Sequence, residues 1–161
     1  MIAIDNFIKM TREHSLLAGF VPRDLQRLAD LANEVRFPLN RIIFKEGEKH
    51  GFFYLILNGS VELEMTATGQ PVYLQTLHAG DAMGWSALVD PKGGTHFEAR
   101  VLAPVRALAF EGAALREACE SDPAFGYRMM KALLALVTDR LDASRMQLVD
   151  MYAAEPGALR K

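Results

Sequence analysis

Cysteine is almost missing from this chain: Cys119 stands alone, so no internal disulfide can form. That usage suits a reducing compartment, and a cytoplasmic location is expected. Charge excess is missing too. Eighteen basic residues against 20 acidic ones leave a formal charge of −2, which gives the chain as a whole no pull on nucleic acid or an anionic membrane. There is no apolar run of roughly 18 residues, the length a membrane-spanning helix needs. The first ten residues contain Asp5 and lack a cationic region ahead of an apolar run, so no secretory signal is expected. Histidine is sparse and scattered. His14, His50, His78 and His96 form neither a His-x-His pair nor a His-Glu-x-x-His helix, and they read as surface residues rather than metal ligands. Cys119 has no histidine beside it, and Ser86 follows Trp85 outside any Gly-x-Ser-x-Gly elbow, so no enzyme is expected.

What is present is one domain's worth of core. A chain of 161 residues, 50% hydrophobic, can bury a substantial interior in a single domain. Residues 1–34 have helical period. Ile4, Phe7 and Ile8 share a face, and Pro22 can open a second helix whose buried stripe is Leu25, Leu28, Ala29, Leu31 and Ala32. Over residues 35–111 the period shortens to two. Val35 to Phe37, Ile42 to Phe44, Phe52 to Leu57, Val61 to Met65, Val72 to Leu77, Thr95 to Val101 and Val105 to Phe110 read as short strands. Phe52 to Leu57 is apolar on both faces, as a strand between two layers would be. Asn58-Gly59 predicts a hairpin after it, and Pro104 predicts a break between the last two strands. Short strands without crossover helices between them imply an antiparallel sandwich or barrel and an α+β fold.

Residues 112–153 return to helix, and 154–161 form a tail in which Pro156-Gly157 would stop any helix. Pro123 opens a last helix of about 30 residues, longer than a globular domain usually needs. Met130, Leu134, Val137, Leu141, Leu148 and Met151 recur on it at steps of three and four, with Ser144 as one polar break. This seam either lies along the sheet or meets a second copy of the chain. A homodimer is expected, because Met129, Leu133 and Leu136 provide a separate surface for the sheet. Arg140, Arg145, Asp139 and Asp142 are read as keeping the remaining faces wet.

The chain is organised around Gly80 to Leu88 and the strand Thr95 to Val101 that follows. Gly-punctuated loops let backbone N–H groups come close to an anion, so a small ligand would be held here; the same glycines can equally be plain turn chemistry. Candidate pocket residues are Val72, Leu74, Met83, Gly84, Trp85, Ser86, Ala87, Phe97, Glu98 and Ala99. Phe97, Ala99 and Val101 alternate onto one face of their strand, with His96, Glu98 and Arg100 on the other. Lys92, between Pro91 and Gly93, is either a phosphate contact or the solvated tip of a hairpin.

Asn40 to Glu48, Phe53 to Leu63 and Gly80 to Gly84 together resemble the cyclic-nucleotide-binding domain family, from about Leu16 to the last helix. The resemblance implies an antiparallel β jelly roll, a double-stranded β-helix, with N-terminal helices and a long C-terminal helix. It also implies a regulatory role in a stand-alone sensor domain signalling through that helix to a protein partner that the sequence does not name. Members that bind cyclic nucleotides place a Glu after the glycine of the Gly-Asp turn, for the ribose, and about a dozen residues later an Arg for the cyclic phosphate. Here those positions match Trp85 and Phe97. A buried phosphate without its guanidinium faces a desolvation cost on the order of several kcal/mol. The expected ligand is therefore a small molecule, either a cyclic nucleotide held without these anchors or another compound bound by an aromatic pocket in which Trp85 stacks on a flat body. In the other reading the two rings fill a vacated cavity, and the protein is a ligand-free dimerisation scaffold. The catabolite activators in this family add a helix-turn-helix after the long helix. Only Ala153 to Lys161 remain here, and no nucleic acid partner is expected.

Overall fold

Alternation along one strand divides the interior into two cores. A computed structural model describes residues 1–154; of the tail expected at 154–161, all but Ala154 lies outside the described residues, and so does Pro156-Gly157. Strand β3 (Phe52–Ala67) sends Phe53 and Leu55 to one side and Tyr54 and Ile56 to the other. Its antiparallel partner β6 (Glu98–Glu111) does the same, with Leu108 and Phe110 on the first side and Ala107 and Ala109 on the second. The register sets Phe53 against Phe110 and Leu55 against Leu108 under the helices. On the inner face it sets Tyr54 against Ala109 and Ile56 against Ala107, a large residue opposite a small one each time. This is the two-layered strand that Phe52 to Leu57 predicted.

The helices close the first core. α1 (Ile4–Thr11), a 3-10 turn (Ser15–Leu17) and α2 (Pro22–Leu31) bring Phe7, Leu17 and Leu28 against Phe125, Met129 and Leu133 of α5 (Pro123–Ala153). Full burial of such side chains contributes about 1.5–3 kcal/mol each. Arg128 reaches back to Asp24 on α2 with Nη2 at 2.9 Å, and Arg23 and Arg27 both meet Asp122 at 3.0 Å. Asp122 also accepts from the Phe125 N–H at 3.3 Å, capping α5 at the point that Pro123 signals. α4 (Gly112–Ser121) precedes it.

The sheet has the order β1-β6-β3-β4, where β1 is Ala32–Phe37 and β4 is Gln70–Leu77; β2 (Ile42–Phe44) adds to β6 and β5 (Ala82–Met83) to β3. The inner core collects Phe44, Tyr54, Ile56, Val61, Leu63, Leu77, Met83, Ala99 and Val101. The strand list is corrected in one respect. Asn58-Gly59 is not a hairpin, and Pro104 does not end a strand: β3 and β6 each run through these positions, and their pairing slips between Ile56 and Val61. Gly59 has φ of +91°, and a Cβ there would run into the Pro104 carbonyl. A glycine that frees φ opposite a proline that cannot donate an N–H bends both strands together, which rolls the sheet instead of reversing the chain.

Candidate functional site

β5 ends in a sharp corner. Gly84 has φ of +82°, and a Cβ there would collide with the Phe52 carbonyl, so only glycine fits where the chain passes from the sheet into α3 (Ser86–Val89), a helical turn the sequence did not signal. The corner aims Trp85 at the roll. Across from it the chain re-enters the sheet through Thr95, His96 and Phe97. Thr95 is pinned in place, its carbonyl accepting from the Gly47 N–H at 2.7 Å and its N–H donating to the Glu48 carbonyl at 2.9 Å.

Trp85 and Phe97 meet edge to face, with centroids 5.6 Å apart and planes at 68°. The Trp85 ring packs against the helix-side core and Phe97 against the inner one, so the pair joins the two. With Phe44, Leu63, Met83, Gly84, Ser86, Thr95, His96 and Arg140 they enclose about 10 Å³, room for about one water. A pocket for a nucleotide-sized ligand is roughly 300 Å³ or more. The rings and the guanidinium fill the place.

Among the pocket candidates, Met83, Gly84, Trp85, Ser86 and Phe97 come together here. The other five lie elsewhere. Val72 is exposed on β4, and Leu74 packs against the inner core without reaching this space. Ala99 is wholly buried in that core. Glu98 points away and pairs with Arg100 at 2.8 Å. Ala87 is buried against Gly112 of α4, and its carbonyl accepts from Arg116.

Arg140 is the residue that sequence reasoning missed. Read as solvent-facing, it is only 9% exposed. Its Nη2 donates to the Ala82 carbonyl at 3.0 Å, and its Cζ lies 4.8 Å over the Trp85 ring. Burial pulls its pKa down to about 10, against the opposing charge of Asp81. Among the described residues it makes no ion pair, and its Nε has no hydrogen-bond partner. A buried unpaired cation costs on the order of several kcal/mol. The ring contact offsets about 2 kcal/mol, and the carbonyl bond about as much again. The signal was in the spacing: Met129, Leu133 and Leu136 face the sheet at steps of four and three, and the next step of four is Arg140.

His14 corrects the reading of all four histidines as surface residues. It is 6% exposed, and its Nε2 donates to the Asp81 carbonyl at 3.2 Å, tying the 3-10 turn to the turn before β5. Desolvation holds its pKa below the ordinary 6.5, against the Asp81 bond and charge; burial pushes His50 in the same direction. As pH falls through 6.5 the unfolded chain takes up these protons before the folded one does. Stability is then full above that pH and declines below it, by at most about 1.4 kcal/mol per pH unit for each histidine. The melting temperature is expected to fall from pH 7.5 to 5 and to fall less steeply in His14→Gln. An equal slope in both proteins would rule out the buried neutral imidazole.

Groups of His, Cys, Asp and Glu able to hold a metal ion are absent among the described residues, and no described helix is long and apolar enough to cross a membrane. The geometry has known counterparts. The model of the family described as "Cyclic nucleotide-binding domain" matches residues 34–122, more than half of the chain. Over 80 residues the chain is 34% identical to the cAMP-dependent protein kinase regulatory subunit of Emericella nidulans, a stretch that is 50% of this chain but 19% of that protein. The chain thus spans about a fifth of that relative's length. A crystal structure described as a cyclic nucleotide-binding protein from Geobacter metallireducens superposes with a TM-score of 0.74 at 30% identity, covering 88% of this chain and 99% of that one. A cyclic nucleotide-binding domain from Methylobacillus flagellatus gives 0.77 at 18% identity over 98% and 86% of the two chains, a likeness of fold. Jelly roll, long C-terminal helix and matched motifs agree, and the chain belongs to the cyclic nucleotide-binding domain family, whose members are regulatory rather than catalytic.

Proposed function

We propose that this is a non-catalytic regulatory sensor domain that binds a small molecule other than a cyclic nucleotide and passes its occupancy on through α5. The observation that carries the reading is the Trp85–Phe97–Arg140 cluster. Two of its members stand where nucleotide-binding relatives keep their ribose and phosphate anchors, and the third comes from α5. α5 is held to the sheet at Arg140 and again at Gln147, whose Nε2 donates to the Tyr73 carbonyl at 2.9 Å. A ligand that draws Arg140 away from Trp85 removes one of these two holds.

The receiving side is a second copy of the chain and, beyond it, a protein partner. Tyr127, Met130, Leu134, Leu141, Leu148 and Met151 are exposed along α5. Apolar surface in one continuous stripe supports a parallel homodimer. The near-neutral charge supports neither a nucleic acid nor a membrane partner.

The filled pocket favours one competing reading, a ligand-free dimerisation module. Thermal melting with a panel of nucleotides and metabolites separates the two. A binder at a hundred times its Kd stabilises by about 2.7 kcal/mol, a rise of several degrees. One such compound is the expected result; purified protein that carries no small molecule and responds to none would hand the case to the module.

A further inference from the structure

His14 joins the N-terminal segment to the turn ahead of β5 through its bond to the Asp81 carbonyl. That carbonyl also accepts from the Ile56 N–H at 2.9 Å, and the carbonyl of the next residue, Ala82, accepts from Arg140. Two consecutive carbonyls thus hold the 3-10 turn and α5 to the corner that carries Trp85. The first bond fixes a tautomer. Nε2 carries the proton, and Nδ1 is left with a lone pair. Nδ1 is sealed from solvent and has no hydrogen-bond partner. A second proton there would find neither an acceptor nor water, so the imidazolium does not fit the closed place and the ring can be charged only by leaving it.

Room for the departure is at hand. His14 lines two hollows, one of about 450 Å³ with Arg12, Ser15 and Ala18 and one of about 180 Å³ with Met10, Ala79 and Gly80, and Glu13 is on the wall of both. The charged groups around the ring are few. Arg12 and Glu13 belong to its own segment, Asp81 meets it from the turn, and Asp139 and Arg140 of α5 share a wall with Ser15 and Asp81. From α2 and β3 the same hollows receive only Leu25, Ile56 and Leu57. Asp81 is the carboxylate that would steady a charged ring in place, but its Oδ2 already accepts from the His78 N–H at 2.8 Å. Desolvation outweighs it and keeps the ring neutral.

We propose that His14 is a pH-gated latch: proton uptake on mild acidification swings its ring out of the interior, frees the 3-10 turn from Asp81 and loosens the corner that Trp85 and Arg140 share. The latch goes beyond the sensor reading and needs no ligand in the pocket. It is a local opening, distinct from the loss of stability of the whole domain.

The test is native-state hydrogen exchange on the full chain at pH 7.5 and 5.5, each rate divided by the intrinsic rate at that pH. The reporters are the amides of Leu17, Ala18 and Phe20, whose bonds to His14, Ser15 and Leu17 close the turn. A histidine of ordinary pKa 6.5 when the turn is open, and uncharged when it is closed, makes opening about tenfold easier over that range. Protection of the reporters is expected to fall at least about threefold, while staying below that of Leu55 in β3 at both pH values. Trp85 is the only tryptophan in the chain and lies against Arg140, and its emission is expected to change over the same range. His14→Gln keeps an N–H for the Asp81 carbonyl without a titrating group, and both readouts are expected to stay flat. His50→Gln removes the other desolvated imidazole and is expected to leave the fall intact. Should His14→Gln not fold, ring nitrogen shifts of the natural chain decide: His14 is expected as the Nε2–H tautomer at pH 7.5, gaining its second proton as the turn loses protection. The latch is overturned if protection in the turn is flat in the natural chain, if His14→Gln loses it equally, if the turn opens only together with Leu55, if Trp85 emission does not follow, or if His14 gains its proton with the turn still closed.

Discussion

Leu134→Glu together with Leu141→Glu is expected to give folded monomers where the natural chain is expected to dimerise. Leu134 is 67% exposed and Leu141 49%, while Met129 and Leu133, on the opposite side of the helix, are 1% and 3% exposed. α5 therefore holds the fold with one stripe and leaves the other in water. In a parallel pair each leucine of the outer stripe would meet its own copy, and burial contributes about 1.5–3 kcal/mol per side chain. Glutamate at both positions removes that gain and sets like charges against each other. The domain itself is expected to melt within a few degrees of the natural monomer's midpoint, because neither residue takes part in the helix-side core. Light scattering at micromolar concentration gives the answer. A natural chain that is already monomeric would refute the seam as a dimer contact and leave α5 as a lid over the sheet.

The second large effect concerns the filled pocket. Trp85→Glu combined with Phe97→Arg is expected to create tight cyclic AMP binding in a protein otherwise expected to bind it weakly or not at all. The glutamate removes an indole from a space of about 10 Å³ and restores an acceptor for ribose hydroxyls. The arginine enters from a position whose strand neighbours Ala99 and Val101 already face inward, both wholly buried. A charge-assisted pair with the phosphate follows. Losing the Trp85 ring also frees Arg140 from its stacking contact. Calorimetric affinity better than about 10 μM, or about −7 kcal/mol, is the expected gain. A double variant that folds and still binds nothing would mean that more than these two positions has been rebuilt.

Most of the architecture was legible because its signals are local. Pro123 and Asp122 mark the start of α5, the period-two runs mark the sheet, and the two-faced apolar run at Phe53 to Ile56 marks the strand shared by both cores. The reading failed where meaning depends on a distant partner. Asn58-Gly59 has the composition of a hairpin, but Pro104 opposite it turns the same residues into a bend. The buried state of His14 depends on a carbonyl 67 positions away. Arg140 carries a charge, which masks a spacing that puts it on the buried stripe of Met129, Leu133 and Leu136. Half of the pocket candidates fell outside the site for a related reason: strand alternation gives the face of a residue, while the bend of the sheet decides which inward residues share one space.

Closure of the nucleotide's place by Trp85, Phe97 and Arg140 underlies the proposed function. Its direct test is a calorimetric titration of the natural chain with cyclic AMP and cyclic GMP. Neither is expected to bind more tightly than roughly 10 μM, about −7 kcal/mol. Saturable one-to-one binding by either nucleotide below that concentration would show that the cluster opens to admit it, and would contradict the account.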